Sequence, residues 1–445
     1  LFYDEDLGLN WAIFGIMQTA LICYFFQEKF TSRLHLILVV TSVLSCFAFA
    51  WYGDFPSFFA MVLSIIFLQF KTQEPKLKLL QAFPLIIING IASLVRIFMF
   101  SQYLPKRKVN NSFAKKLIAY FVIPVLFLGL FLTVYSFGSD HFSSLFTGYY
   151  LDIDAWQVFI LTALGFFISF TFWNYWIPDF FCEKNDLLDN DFKEEAKTQN
   201  QNSFSFLGVD FERRSGEITL FLLNVLLLVF IATYNYEQFF VLVKKSHLSS
   251  ETHERVTAVI FSIIMAVGVL LFYFKGGFNF DEKAKNLKKL AKIWILLNGF
   301  LILSTIIKNS EYVSFFGLTY KRLGVYAFLI LSIIGLIISF VKIIKQKTNA
   351  FLFNQMIWYF YGTILLCSFV NWGNIITHYN ISVEKGVEPI FLSGLNFNDE
   401  LRRDYFLKNN LDGQYSEISR EKEISLMQSR SLLSKALYYE FLPSK

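Results

Sequence analysis

The chain has 445 residues, of which 55% are hydrophobic and only 17% charged, with a mean hydropathy of +0.47. A soluble domain carries roughly 25% charged residues, so this composition excludes an ordinary water-soluble protein and puts the chain in a bilayer. The formal charge of +5, from 40 Lys and Arg against 35 Asp and Glu, is too small to call for nucleic acid, and the basic residues gather in short loops between apolar runs.

Runs of the roughly 20 apolar residues that a hydrocarbon core requires occur at 9–26, 34–51, 55–70, 80–100, 117–137, 156–178, 217–241, 255–274, 288–307, 322–344 and 351–373. They predict an all-α fold, a polytopic transmembrane helix bundle of about 10–11 membrane segments over 1–373, with a small helical extramembrane region over 374–445. The chain opens at Leu1 without a Met, so an incomplete N-terminus is expected, and no cleavable signal sequence is visible. The 55 Phe residues read as a compositional bias of the source genome. Cys23, Cys46 and Cys367 lie in apolar runs and Cys182 in a polar loop, which gives neither a disulfide framework nor a Cys-based metal site.

Basic loops mark the cytoplasmic side. The loop 106–116, with Lys106, Arg107, Lys108, Lys115 and Lys116, reads as cytoplasmic, and 138–155, with Asp140, Asp152 and Asp154, as external. Alternation then puts 179–216, the Lys-rich 275–289, and Lys342, Lys345 and Lys347 inside, and the tail after Trp372 outside. The segment 80–100 breaks the pattern, because Lys71, Lys76 and Lys78 precede it and the basic 106–116 loop follows it. Both its ends ask to be cytoplasmic. With Pro84, Asn89-Gly90 and Arg96 along it, the segment is expected to form a re-entrant or interfacial hairpin, the other reading being a kinked ordinary span; the hairpin leaves about ten crossings and puts Asp4-Glu5-Asp6 outside.

The loop 179–216 holds Glu183, Asp186, Asp189, Asp191, Glu194 and Glu195 without the spacing or glycine of an EF-hand, so it reads as a solvated, partly mobile cytoplasmic loop. Near Tyr312 to Tyr326, Gly317 suits a left-handed helix end and Thr319 a cap for a helix beginning at Tyr320. Lys321 and Arg322 then fall in the positive first turn of that helix, which calls for an anionic neighbour. In the tail, Asn398 is expected to cap a helix through Leu407. A second helix from Ser416 to Leu442 should dock an apolar face of Ile418, Ile424, Leu426, Leu432, Leu433, Ala436 and Leu437.

Two sets of polar residues are candidates for function. Arg96, Asn89 and Glu237 sit within spans, where charge and amides mark substrate or ion paths. An outer-face cluster is expected from Glu251, His253 and Arg255 at the start of the eighth span, together with Thr319, Arg322, Tyr379 and Asn380, in which Arg255, Arg322 and Glu237 would fix the tail onto the spans. Asn224, Asn298, Asn354, Gln355 and Asn371 read as packing residues. No nucleophile elbow, Walker loop, dinucleotide fingerprint or zinc-protease helix occurs, so enzymatic activity is unsupported and neither a cofactor nor a metal is implied.

Several short stretches, in this order, carry a resemblance: Leu1-Phe2-Tyr3-Asp4-Glu5-Asp6-Leu7-Gly8-Leu9-Asn10, Ser215-Gly216-Glu217-Ile218 with Asn224, the acidic entry to Arg255, Gly317-Leu318-Thr319 with Arg322, and Asn374, His378-Tyr379-Asn380-Ile381 and Phe391-Leu392-Ser393-Gly394-Leu395. The chain resembles an uncharacterised family of bacterial polytopic membrane proteins of the domain-of-unknown-function type, common in Bacteroidetes and Firmicutes. The resemblance implies the architecture and names no reaction, cofactor or substrate. The His253-Glu254 pair departs from the family pattern. The sequence thus favours a non-enzymatic inner-membrane sensor or scaffold whose partners are the lipid bilayer and an envelope protein bound through 374–445. The alternative is a transporter or channel with its path at Arg96 and 80–100. No stretch encodes an oligomeric state.

Overall fold

A computed structural model describes residues 1–29, 32–102, 118–139, 142, 154–194, 208–240, 248–411, 413 and 415–442. The elements are helical throughout, and no strand occurs among the described residues. Helices α1 (Leu9–Phe25), α2 (Arg33–Tyr52), α3 (Phe55–Gln73), α4 (Ala82–Arg96), α5 (Ile123–Gly138), α6 (Ala155–Trp173) and the short α7 (Asp179–Glu183) form the first half. Helices α8 (Val209–Phe240), α9 (Leu248–Tyr273), α10 (Lys285–Phe316), α11 (Tyr320–Ile344) and α12 (Asn349–Phe369) follow. The tail holds α13 (Trp372–Val383), α14 (Pro389–Ser393), α15 (Asp399–Lys408), α16 (Tyr415–Ser429) and α17 (Leu437–Glu440).

Nine helices among the described residues are long and apolar enough to cross a membrane, and Leu9–Phe25 and Ala119–Leu132 are shorter apolar helices. All of the apolar segments expected from sequence are therefore helical. Side-chain caps set several starts: Ser32 accepts from His35 N at 3.3 Å, Asp54 from Ser57 N at 3.0 Å and Thr348 from Phe351 N at 3.3 Å.

The chain divides into two compact units. The first comprises residues 1, 5–83 and 177–445. Its core joins α8 through α11 around Leu220, Ile263, Leu287, Trp294, Leu301, Leu329 and Leu336. Within the spans, isolated polar groups tie helices together: the Tyr361 hydroxyl of α12 hydrogen-bonds with the hydroxyls of Thr41 of α2 at 2.8 Å and Ser64 of α3 at 2.9 Å, and Asn224 of α8 donates to the Leu290 carbonyl at 3.1 Å.

The loops of this unit gather into two rims. At the first, Lys78 N donates to Asn185 at 3.1 Å, Lys78 pairs with Asp189 at 2.8 Å, and Gln81 reaches the Phe181 carbonyl at 3.2 Å. Thr348 N and Asn354 bond to the 188–190 backbone at 3.1 and 2.8 Å, and Lys342 donates to the Phe274 carbonyl at 2.7 Å. Within 179–194 the exposed acids Asp186, Asp189 and Asp191 pair with Lys193, Lys78 and Lys347, so this solvated stretch is also tethered to the rim. The basic 106–116 loop and residues 195–207 lie outside the described residues. At the second rim, Leu9 N donates to the Lys435 carbonyl at 3.0 Å, Tyr52 meets the Phe397 ring at 4.9 Å, and Trp51 stacks on Phe441 at 5.5 Å. The tail thus sits where α1 and α3 begin and where α2 ends.

The second unit comprises residues 2–4 and 84–176. Helix α4 runs unbroken through Asn89-Gly90 and continues as a 3-10 turn to Gln102. This corrects the expected hairpin. Pro84 falls in the first helical turn, where its missing N–H costs nothing, and Asn89 turns its amide sideways instead of interrupting the helix.

Candidate functional site

The seat of the tail is built around the turn between α10 and α11. Helix α10 closes at Gly317, whose φ of +81° favours glycine, and a Cβ there would run into the Lys385 carbonyl. Thr319 caps α11 by accepting from Arg322 N at 3.3 Å. The peptide groups flanking Leu318 are then offered to Asn380 of α13, a residue with no solvent exposure. Its Oδ1 accepts from Leu318 N at 2.6 Å, and its Nδ2 donates to the carbonyls of Leu318 and Gly386, both at 3.1 Å. One side chain therefore reproduces a two-point backbone pairing. Around it Val313, Leu318, Ile376, Leu392 and Phe406 close an apolar cluster on which Tyr379 packs.

Among the described residues no carboxylate pairs with Arg322. Its guanidinium donates to the Gly317 carbonyl and lies 4.2 Å from the Tyr312 ring centroid. The negative C-terminal end of α10 and an aromatic face together balance the cation. Thr319, Arg322, Tyr379 and Asn380 thus come together at one turn. Glu237 lies exposed near the end of α8. Glu251, His253 and Arg255 belong to the first turns of α9, and their side chains fall outside the described residues.

Beyond Asn380 the tail holds an ionic core. Asn398 stands at the N-cap of α15, yet its amide donates to Thr377 at 2.8 Å and to the Leu392 carbonyl at 2.9 Å rather than capping the helix. Arg402 has no exposed surface. It donates to Asn398 at 3.0 Å and Asp399 at 2.8 Å, and to both oxygens of Glu417 at 2.8 and 3.3 Å. Arg420 answers from α16 with Asp399 at 3.2 Å and Glu423 at 2.9 Å, and the Tyr438 hydroxyl donates to Asp399 at 3.1 Å.

Burial works against the charge of Arg420, but Asp399, Tyr439 and Glu423 outweigh it, and its pKa rises. Burial and then Asp399 hold the Tyr438 phenol neutral well above its ordinary range. At the edge of the seat, Ser431 and Ser434 donate to Glu5 and lower its carboxyl pKa.

This arrangement splits the expected docking face: Ile424 and Ala436 pack inward as expected, and Ile418, Leu426 and Leu432 do not. The second tail helix ends at Ser429, and it buries Glu417, Arg420 and Ile424 while Ile418 and Leu426 face outward. Counting apolar positions missed Asp399, Arg402, Glu417, Arg420 and Tyr438. A signal was present: Asp399-x-x-Arg402 and Glu417-x-x-Arg420 repeat one spacing on successive helices. Each arginine crosses to the other helix's acid.

The second unit holds its own clasp. Asn89, fully buried, accepts from Trp176 N and donates to the Trp176 carbonyl, both at 2.8 Å, and donates to the Leu85 carbonyl at 2.9 Å. Arg96 donates to the Asn174 carbonyl at 2.9 Å and to Asn89 at 3.5 Å, with its guanidinium 5.8 Å from the rings of Phe170 and Trp176. No group of three or more His, Cys, Asp or Glu among the described residues could hold a metal ion.

Long apolar helices tied by isolated amides and hydroxyls define a multi-pass integral membrane protein. The family model Domain of unknown function (DUF4153) matches residues 14–401, and the chain belongs to that family. Comparison with curated proteins and with solved structures finds no match.

Proposed function

We propose that the protein is a non-enzymatic scaffold or sensor subunit of the bacterial cytoplasmic membrane, with its C-terminal tail on the outer face as the partner-binding part. The observation that carries this reading is the outer face of α16. The helix buries Glu417 and Arg420 in a paired core and turns Ile418 and Leu426 outward, with Leu432 exposed just after it. A buried ion-pair network is a weak stabiliser and serves better to fix one geometry. A rigid platform with outward apolar side chains is what a partner surface needs.

The orientation follows from the rims. The first rim carries Lys76, Lys78, Lys275, Lys283, Lys345 and Lys347, which suits the cytoplasmic side. Residues 76–81 and 181–190 are bonded to each other at that rim, so the chain leaves it and returns to it between them. Among the described residues three apolar helices lie in that interval, α4 through α6, and a return to the same side takes an even number of crossings. This supports a Leu79–Met99 segment, with cytoplasmic signals at both ends, that runs along the membrane surface, for about ten crossings. The transport alternative draws no support from Arg96 and Asn89, because their donors and acceptors are engaged by the 174–176 backbone.

The test places single cysteines by Lys78→Cys, Lys321→Cys and Leu426→Cys in a cysteine-free background and labels intact cells from outside. Labelling at 321 and 426 but not at 78 is expected. Photocrosslinkers at 418 and 426 should then join the protein to another envelope polypeptide, while one at the buried 424 should not. External labelling with no crosslink from either outward position would remove the scaffold reading.

A further inference from the structure

An open groove of about 370 Å³ runs between α10 and α11, lined by Lys292, Leu296, Gly299, Phe300, Ile333 and Ile337 among others. Apart from Lys292 its walls are apolar. Along α10 the positions Lys285, Lys289, Lys292, Leu296, Gly299/Phe300 and Leu303 recur at three- and four-residue spacing, so they share one face. That face is cationic over its first turns and apolar beyond them. Lys288, one step off the stripe, donates to the Asp281 carbonyl at 3.4 Å. Lys285, Lys289 and Lys292 are exposed and form no ion pair with a described residue.

Length decides what this shape accepts. From Lys292 to Leu303 the groove follows α10 for about 16 Å at the helical rise, which is about half of a hydrocarbon core ~30 Å thick. The groove is thus one leaflet deep, with its cations where the headgroups begin. Gly299 keeps it open, since a Cβ at that position meets nothing within 4 Å.

We infer that this groove is a binding site for one anionic glycerophospholipid, with an acyl chain lying along Leu296–Leu303 and the phosphate held by Lys289 and Lys292. An apolar slot alone takes any acyl chain, whereas three unpaired cations at its mouth select a negative headgroup over a zwitterionic one. The inference is independent of which rim faces the cytoplasm and of what the tail binds.

Native mass spectrometry of the full-length protein tests it, with phosphatidylglycerol and phosphatidylcholine of identical chains offered in competition. The unaltered protein should retain phosphatidylglycerol preferentially. Lys289→Gln and Lys292→Gln should each lower that preference about fivefold, from ~1 kcal/mol per basic residue near an anionic surface. Gly299→Leu puts a side chain into the groove from a position whose Cβ meets nothing within 4 Å and should abolish retention of either lipid, while thermal unfolding stays at or above that of the unaltered chain. Glycerol phosphate without acyl chains should not displace the lipid.

Three outcomes overturn the proposal. Retention that survives Gly299→Leu would mean that the lysines act as a diffuse surface charge. Displacement by glycerol phosphate would mean a headgroup site without the groove. A two-chain mass lost with Gly299→Leu would assign the groove to a second copy of the protein.

Discussion

Arg402 in the tail and Arg96 in the second unit are both drawn away from water, and they are neutralised by opposite means. Arg402 meets Asp399 and both oxygens of Glu417 with no exposed surface. Arg96 is half-buried and meets a carbonyl, an amide oxygen and two aromatic rings. In the first case the partners are themselves charged and inward, so each depends on the other's presence. In the second these four partners are neutral, and each loses only a hydrogen bond or a ring contact when the cation goes. A buried arginine therefore means different things according to what would be left behind without it.

The largest effect that separates the two should come from removing each cation. Arg402→Met strands Asp399 and Glu417, and breaking a buried pair from one side costs about 3–5 kcal/mol. The tail should become cleavable by trypsin at Lys408 and Lys422 under conditions where the unaltered protein resists. Arg96→Met should cost about 1–3 kcal/mol, the range for a lost bond to a charged group, and should leave tail cleavage unchanged. Equal tail cleavage in the two variants would break the contrast.

A subtler comparison lies between the two clasping asparagines. Asn380→Asp replaces a donor facing the carbonyls of Leu318 and Gly386 with a carboxylate oxygen, so it should loosen the tail as much as Asn380→Ala, by about 1–3 kcal/mol for each group left unpaired. Asn89→Asp also loses its donors, but Arg96 stands 3.5 Å from Oδ1 and gains a charge partner. Its thermal unfolding temperature should accordingly exceed that of Asn89→Ala, whereas at 380 the aspartate should be no better than the alanine.

The smallest expected effect concerns Glu5. Its carboxyl pKa in the folded protein lies below the ordinary 4.5, so the contact contributes stability above that value and loses it as pH falls through the folded pKa. A fluorophore pair spanning residues 7 and 433 should separate below about pH 4.5, and Glu5→Gln should abolish the pH step without releasing the tail.

The helices were legible because the bilayer dictates both their length and their composition, and the Gly317 turn and Thr319 cap were legible because each is a local backbone requirement. What escaped the sequence depends on partners far along the chain. Asn89 looked like a helix breaker until Trp176, 87 residues away, supplied both halves of its pairing. For Arg322 the first turn of one helix called for something anionic, and the bond to the Gly317 carbonyl at the end of α10 is visible only when both helices are placed. For α16, apolar periodicity put Ile418 inside, yet Arg402 lies 15 residues before Glu417 and fixes the opposite face. The repeated acid-x-x-Arg spacing was readable, but which acid each arginine chooses is a property of the fold.

The seat also imposes an order on biogenesis. It joins residues 5–11 and 51–54 to 317–320 and to 371–442, which are synthesised progressively later. Until 371–442 emerge, the peptide groups at Leu318 and the apolar cluster beneath Ile376 have no cover. A ribosome that stops before them therefore leaves a chain whose spans are inserted but whose rim turns stay open to proteases, so closure of the tail reports that this stretch has been made.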